Sequence, residues 1–250
     1  MKLTSLILCV AAIFLMGTVH AGDLRLEAGY GVCKAQKAQE GTWYQDQFEH
    51  HQELKDRCGE LGLAWDTPLR DVSLKARYTS LGQFSTHARA NSDDNDNKAL
   101  RGTVNPDNRR AECASAFAAD CLYQWDGSGG VKGFLFAVGW EPLQLGPVKV
   151  GAEAGLFLYK ARWRETVHPI DCPGNQCWQM QIDQRTGWQR GPEFGVTARW
   201  DWLYAALRRY DLRMPGDTMN PLEPHQAPGI TAGFRGPIYQ FVVGVSYAFR

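Results

Sequence analysis

Beyond residue 16 the chain has no apolar run approaching the ~18 to 20 consecutive residues that a membrane-crossing helix needs, which excludes a helical membrane protein. Charge of one sign is also missing. The 27 basic residues balance 27 acidic ones, so the chain lacks the electrostatic footprint of a nucleic-acid binder and no nucleic acid is expected as a partner. No internal repeat, phosphate-cradling glycine loop, dinucleotide fingerprint or strained nucleophile elbow occurs, and no cofactor is expected. Any residence in a membrane must therefore rely on strands.

The first residues do carry a signal. Lys2 precedes an unbroken apolar run from Leu6 to Met16, and small residues follow at Val19 and Ala21. This predicts a secretory signal peptide over 1–21, cut after Ala21, and a single domain over 22–250. Cys9 does not make it a lipoprotein, because the apolar run continues well beyond it. Six further cysteines, an even number in an exported chain, favour disulfides. Spacing leaves the connectivity open, and local pairing is the economical expectation: Cys33 with Cys58, Cys113 with Cys121, Cys172 with Cys177. Cys172 and Cys177 have no second ligand pair nearby for zinc, so no metal is expected.

Strict period two marks strands. In Asp23–Cys33 the residues Leu24, Leu26, Ala28, Tyr30 and Val32 oppose Arg25, Glu27, Gly29 and Gly31. Asp71–Tyr78 and Pro147–Tyr159 repeat the pattern, and Glu60–Trp65, Val131–Trp140, Arg190–Trp200, Leu203–Tyr210 and Ile238–Phe249 complete eight strands. In Trp202–Tyr210 either face serves as the apolar one. Short connections (Asp66–Arg70, Glu141–Gly146, a turn at Asp201) alternate with long ones (Lys34–Arg57, Leu81–Gly130, Arg164–Gln189, Asp211–Pro237). Such a meander, with every long loop at one end, predicts an all-β, eight-stranded antiparallel up-and-down transmembrane barrel with short periplasmic turns and long extracellular loops.

Aromatics mark both ends. Trp65, Trp140, Trp200, Trp202, Tyr247 and Phe249 are predicted to form a girdle at the short turns, and Tyr30, Tyr78, Trp188, Tyr210 and Tyr239 one at the long loops. Gly29, Gly31, Gly151, Gly155 and Gly195 share the polar face with Arg25, Glu27, Lys75, Arg77, Lys149, Glu153, Glu193 and Arg199, the predicted lumen charges. Eight strands leave a lumen only wide enough for side chains to fill. A soluble lipocalin-like barrel produces the same alternation with inside and outside exchanged, but one-sided loops, girdles and polar-face glycines favour the membrane.

The layout resembles the small eight-stranded outer-membrane barrels of the OmpA/OmpX type over nearly the whole mature chain, and the closing Tyr247, Ala248 and Phe249 resemble the aromatic-ending signal read by the outer-membrane assembly machinery. Arg250 after Phe249 departs from that pattern. The resemblance implies location in the outer membrane of a Gram-negative bacterium, with outer-membrane lipid, lipopolysaccharide and the assembly machinery as partners.

Candidate chemistry is sparse. Ser85 and His87 are the only catalytic candidates, near Asp93, Asp94 and Asp96. The run Ser92–Asn97 lacks the turn glycine and terminal Glu of a calcium loop. His50 and His51 lie in a charged, possible helix from Gln45 to Arg57, and His168 and His225 in loops. The expected role is binding or adhesion at the cell surface, toward an unidentified extracellular ligand, through disulfide-stapled loops; the alternatives are an enzyme modifying lipid A or phospholipid, and a narrow pore.

Overall fold

The computed structural model describes residues 23–37, 49–91, 122–170, 179–213 and 234–249. The signal segment, Cys113, Cys121, Cys172, Cys177, the Ser92–Asn97 run, His225 and Arg250 lie outside these residues. Ten strands are present among them: β1 (Leu24–Lys37), β2 (Glu49–Glu53), β3 (Lys55–Asp66), β4 (Val72–Asn91), β5 (Leu122–Leu145), β6 (Val148–Pro169), β7 (Met180–Arg185), β8 (Gln189–Trp200), β9 (Leu203–Tyr210) and β10 (Phe234–Phe249). They occupy eight wall positions. β2 and β3 share one edge of β4, and β7 and β8 share one edge of β6. All pairings are antiparallel, and β1 pairs with both β3 and β10, which closes the barrel.

The turns are short at one end. Thr67 Oγ1 accepts from the Leu69 amide and donates to the Val72 carbonyl, fixing the β3–β4 turn, and Asp71 closes it in the left-handed region. Gly146–Pro147 and Asp201–Trp202 are two-residue turns, with Gly146 and Asp201 at positive φ. Glu141–Gly146, expected as a turn, is instead mostly strand: β5 runs to Leu145 across a bulge at Glu141 and Pro142. Pro142 cannot donate to the ladder, and a bulge is where a sheet tolerates that.

Outward side chains of the lower wall are apolar and exposed, among them Leu61, Phe136, Val138, Val196, Leu207 and Phe241 at 48 to 57 %. In water this continuous band would be an aggregation surface; between two aromatic rings it is the exterior of a membrane-spanning barrel. Trp140, Trp200, Trp202, Tyr247 and Phe249 ring the turn end, joined by the half-buried Trp65. Tyr30, Tyr78, Phe134, Trp188 and Tyr239 ring the loop end. Tyr210 is not among them. It is fully buried and donates to Gln240 Oε1 at 2.9 Å inside the barrel, because β9 turns Tyr204, Ala206, Arg208 and Tyr210 inward.

The largest departure from expectation is at the loop end. Leu81–Gly130 and Arg164–Gln189 are long loops in the sequence reading, yet β4, β5, β6 and β7 run far into them. The described part of the 45–57 stretch, 49–57, holds β2 and the start of β3 rather than a helix, and His168 lies on β6. Together β2, the upper halves of β4, β5 and β6, and β7 form a five-stranded extension of the wall. Pairs from Gln83–Gly130 to Asn91–Leu122 carry it roughly 25 Å past the barrel. A bulge at Leu81 and Gly82, with Gly82 at φ 88°, shifts the parity of β4 so that Phe84 and Thr86 follow Leu81 inward.

Candidate functional site

The barrel interior is filled in two layers. Toward the turn end, Arg77 sits among Glu27, Glu60 and Glu153, with Nη2 2.9 Å from Glu27 and Nη1 3.3 Å from Glu153. Lys75 lies 2.9 Å from the same Glu153. Arg208 bridges Glu153 and Glu60, the latter at 2.6 Å, and Tyr204 donates to Glu60 at 2.8 Å. Arg25 meets Asp66 at 2.8 Å and Arg199 meets Glu141 at 2.7 Å. The ring of Tyr204 fits only because Gly29 and Gly244 carry no side chain; a Cβ at Gly29 would stand 2.5 Å from its hydroxyl.

Of the predicted lumen charges, Arg25, Glu27, Lys75, Arg77, Glu153 and Glu193 are buried inside the barrel and Arg199 is partly so. Lys149 stands at the turn-end rim, 44 % exposed and 4.0 Å from Asp71. Glu60, Glu141 and Arg208 belong to the network but are absent from that prediction. Glu60 follows the parity of Cys58 and Gly62 and was within reach; Arg208 was hidden by the ambiguous faces of β9, and Glu141 by its assignment to a turn.

Toward the loop end the interior becomes apolar: Leu135, Phe157, Tyr159, Leu81, Phe84 and Trp163 pack into one buried cluster with the Cys33–Cys58 disulfide. Cys33 and Cys58 point inward from neighbouring strands with Cα atoms 5.7 Å apart. Arg77, Arg208, Glu153 and Glu193 side chains are at most 1 % exposed, so both layers seal the lumen.

In the extension the outward face meets water and is polar. Ser85 and His87 of β4 stand directly opposite Ser128 and Asp126 of β5. His87 Nδ1 lies 2.6 Å from Asp126 Oδ1, and Gln124 Nε2 donates to Asp126 Oδ2 at 2.7 Å. Despite partial burial, those two hydrogen bonds hold the Asp126 carboxyl below its ordinary range. Neither serine hydroxyl bonds to His87 among the described residues. Among the described residues the acid beside His87 is thus Asp126; Asp93, Asp94 and Asp96 lie outside them. No spacing rule could have found it, since the two strands had been read as one loop.

On the inward face, Trp163 lies over Gly127 and Gly129; a Cβ at Gly129 would come 2.7 Å from its Cε3. Above it Glu165 is fully buried, accepts one hydrogen bond from Trp163 Nε1 at 3.4 Å, and has no partner for Oε1 among the described residues. Burial pushes its carboxyl up to about 8, against the weaker effect of that hydrogen bond.

The fold is a closed antiparallel β-barrel of eight wall positions with an apolar outward band. No protein-family model matches the chain, and no curated protein matches it. Among solved structures it is similar to Ail, the attachment invasion locus protein of Yersinia pestis, at 6 % identity and a TM-score of 0.42, covering 92 % of this chain and 99 % of Ail. A major outer membrane protein of Thermus thermophilus matches at 12 % identity and a TM-score of 0.42, over 92 % of this chain and 100 % of the other. The translocator domain of the autotransporter NalP from Neisseria meningitidis follows at 11 % identity and 0.29, over 98 % and 95 %. Such values carry no functional property from those proteins to this one.

Proposed function

We propose that the protein is a binding barrel of the bacterial outer membrane, exported through its N-terminal signal, with the loop end outside the cell. The observation that carries this reading is the five-stranded extension. It stands past the membrane band with a polar outward face and an apolar inward face closed by Trp163 and Phe84, the construction of a sheet meant to hold its shape in water. The disulfide adds rigidity beside it, contributing ~3 kcal/mol in the chain-entropy model. A rigid platform suits recognition of a surface ligand, whether on a host cell, a phage or another envelope component. Conduction is disfavoured by the sealed lumen.

The test joins Lys34 to Lys55, Ser80 to Lys132 and Tyr159 to Gln189 by two-residue turns, removing all five strands of the extension at register pairs. Cells carrying this variant should retain a heat-shifted barrel in the outer membrane and lose adhesion to host-cell and matrix surfaces relative to the parent. Unchanged adhesion, or stepwise conductance of the purified parent in planar bilayers, sinks the reading. The His87–Asp126 pair beside Ser85 and Ser128 supports one second reading, hydrolysis of a lipid ester. A lipid profile altered by expression of the parent, but not of Ser85→Ala or His87→Ala, would favour it.

A further inference from the structure

On the outward side of the wall, one step past the outer aromatic ring, β4, β5 and β6 border a groove of about 730 Å³. Gly82, Gly129 and Gly130 border it, and Lys132, Lys160, Arg162, Arg164 and Arg185 line it. Lys132 stands directly opposite Lys160, an arrangement that is unfavourable without a counter-charge. Arg162 and Arg185 both fork onto Asp183, each reaching it at 2.6 Å, so one carboxylate serves two guanidiniums. Lys132, Lys160 and Arg164 have no acid partner among the described residues; Lys160 Nζ instead sits 4.8 Å from the centroid of the Trp188 ring. Since the whole chain carries no net charge, this excess of cations is local.

The height of the groove identifies the anion. Two residues nearer the turn end, the outward pair opposite each other is Phe134 and Leu158, and Phe134 packs against Tyr78 and Trp188 with centroids 5.4 and 6.2 Å away. With the loop end toward the outer leaflet, acyl chains would meet the wall below that cluster, and headgroup phosphates would lie level with the lysines. At the upper rim Arg164 offers the forked geometry that phosphate accepts in two places at once, while Arg162 and Arg185 already fork onto Asp183. We propose that this groove seats the phosphorylated headgroup of an outer-leaflet glycolipid, with its acyl chains against Phe134, Leu158 and Tyr78. The inference rests on the reading that the loop end faces the outer leaflet.

The probe is bisphosphorylated lipid A, titrated against the full-length protein in detergent micelles and followed by tryptophan fluorescence, with protection of Lys132 and Lys160 from acylation as a second readout. Lys132→Gln with Lys160→Gln, and separately Arg164→Gln, should each weaken binding by roughly ten-fold or more. Arg209→Gln, an exposed arginine on β9 paired to Asp211, should leave it unchanged. Dephosphorylated lipid A should bind far more weakly than lipid A. Equal binding of both lipids, or of glucosamine 1-phosphate and lipid A, overturns the proposal, as does unchanged affinity in the lysine and arginine variants. A parent protein that fails to insert into vesicles and shows no heat-shifted mobility would instead sink the membrane reading on which it rests.

Discussion

Glu165→Gln should stabilise the extension at alkaline pH while doing little in acid. Glu165 is fully buried above the membrane band, with Trp163 Nε1 as its one donor among the described residues, and its carboxyl is pushed from an ordinary 4.5 up to about 8. The sign follows from proton counting. Between those two values the folded extension holds the proton and the opened one releases it, so stability is full below about 4.5 and falls as pH rises toward 8. Above 8 both states are ionised and the loss is complete. At about 1.4 kcal/mol per pH unit the window is worth roughly 4 to 5 kcal/mol, less whatever relaxation or water entry relieves. Glutamine keeps the volume and the acceptor for Trp163 but never ionises. Hydrogen exchange of the 161–169 amides across pH 5 to 9, corrected for intrinsic rates, should show opening free energy declining with pH in the parent and flat in the variant. Parallel profiles, or a variant less protected than the parent at high pH, would refute the reasoning.

Two further outcomes follow from the packing. Arg208→Met takes one cation from each of Glu60 and Glu153 in the sealed lumen, leaving Arg77, Lys75 and Tyr204 as their partners, and should cost about 3 kcal/mol, read as a lower midpoint for loss of the compact, fast-migrating form in urea. Gly82→Ala places a side chain at φ 88° and its Cβ 2.9 Å from the Arg57 carbonyl; it should destabilise the extension by about 1 kcal/mol or more, seen as faster exchange in 83–91 with the barrel midpoint unchanged.

The barrel was legible in the sequence because lipid on one side and a narrow lumen on the other force strict alternation. Along β6 the outward residues Ala152, Ala154, Leu156 and Leu158 alternate with Glu153 and Gly155, and the strand announces itself. Past Leu158 the same strand points Lys160, Arg162 and Arg164 outward, and Tyr159, Ala161 and Trp163 inward. The alternation persists but its sense is reversed, and a rule that expects apolar residues on the outer face reads a charged loop. On β4 the bulge at Gly82 also breaks the period, so Phe84 and Thr86 fall out of step with Leu74 and Tyr78. β9 failed for another reason: Leu203 and Leu207 face lipid while Tyr204 and Tyr210 face a lumen that is itself partly apolar there, and neither face stands out.

That reversal explains why the interior needs two kinds of filling. Within the bilayer an apolar lumen would gain nothing over lipid, since the lipid tails outside are as apolar as any leucine. There the strand hydrogen bonds and the ion network of Arg77, Arg208, Glu60 and Glu153 hold the wall together. Past the bilayer, water surrounds the sheet and burial of Trp163, Phe84, Phe157 and Tyr159 regains the ordinary hydrophobic driving force. On β6 the inward face changes from Glu153 to Phe157 slightly before the outward face changes from Leu158 to Lys160. The apolar layer thus begins inside the bilayer and continues through its surface, tying the extension to the barrel as one packed body. A disulfide at that level, and a cationic groove on the outside of it, both sit against this packed layer, where a headgroup bound to Lys132 and Lys160 would meet a wall backed by buried side chains.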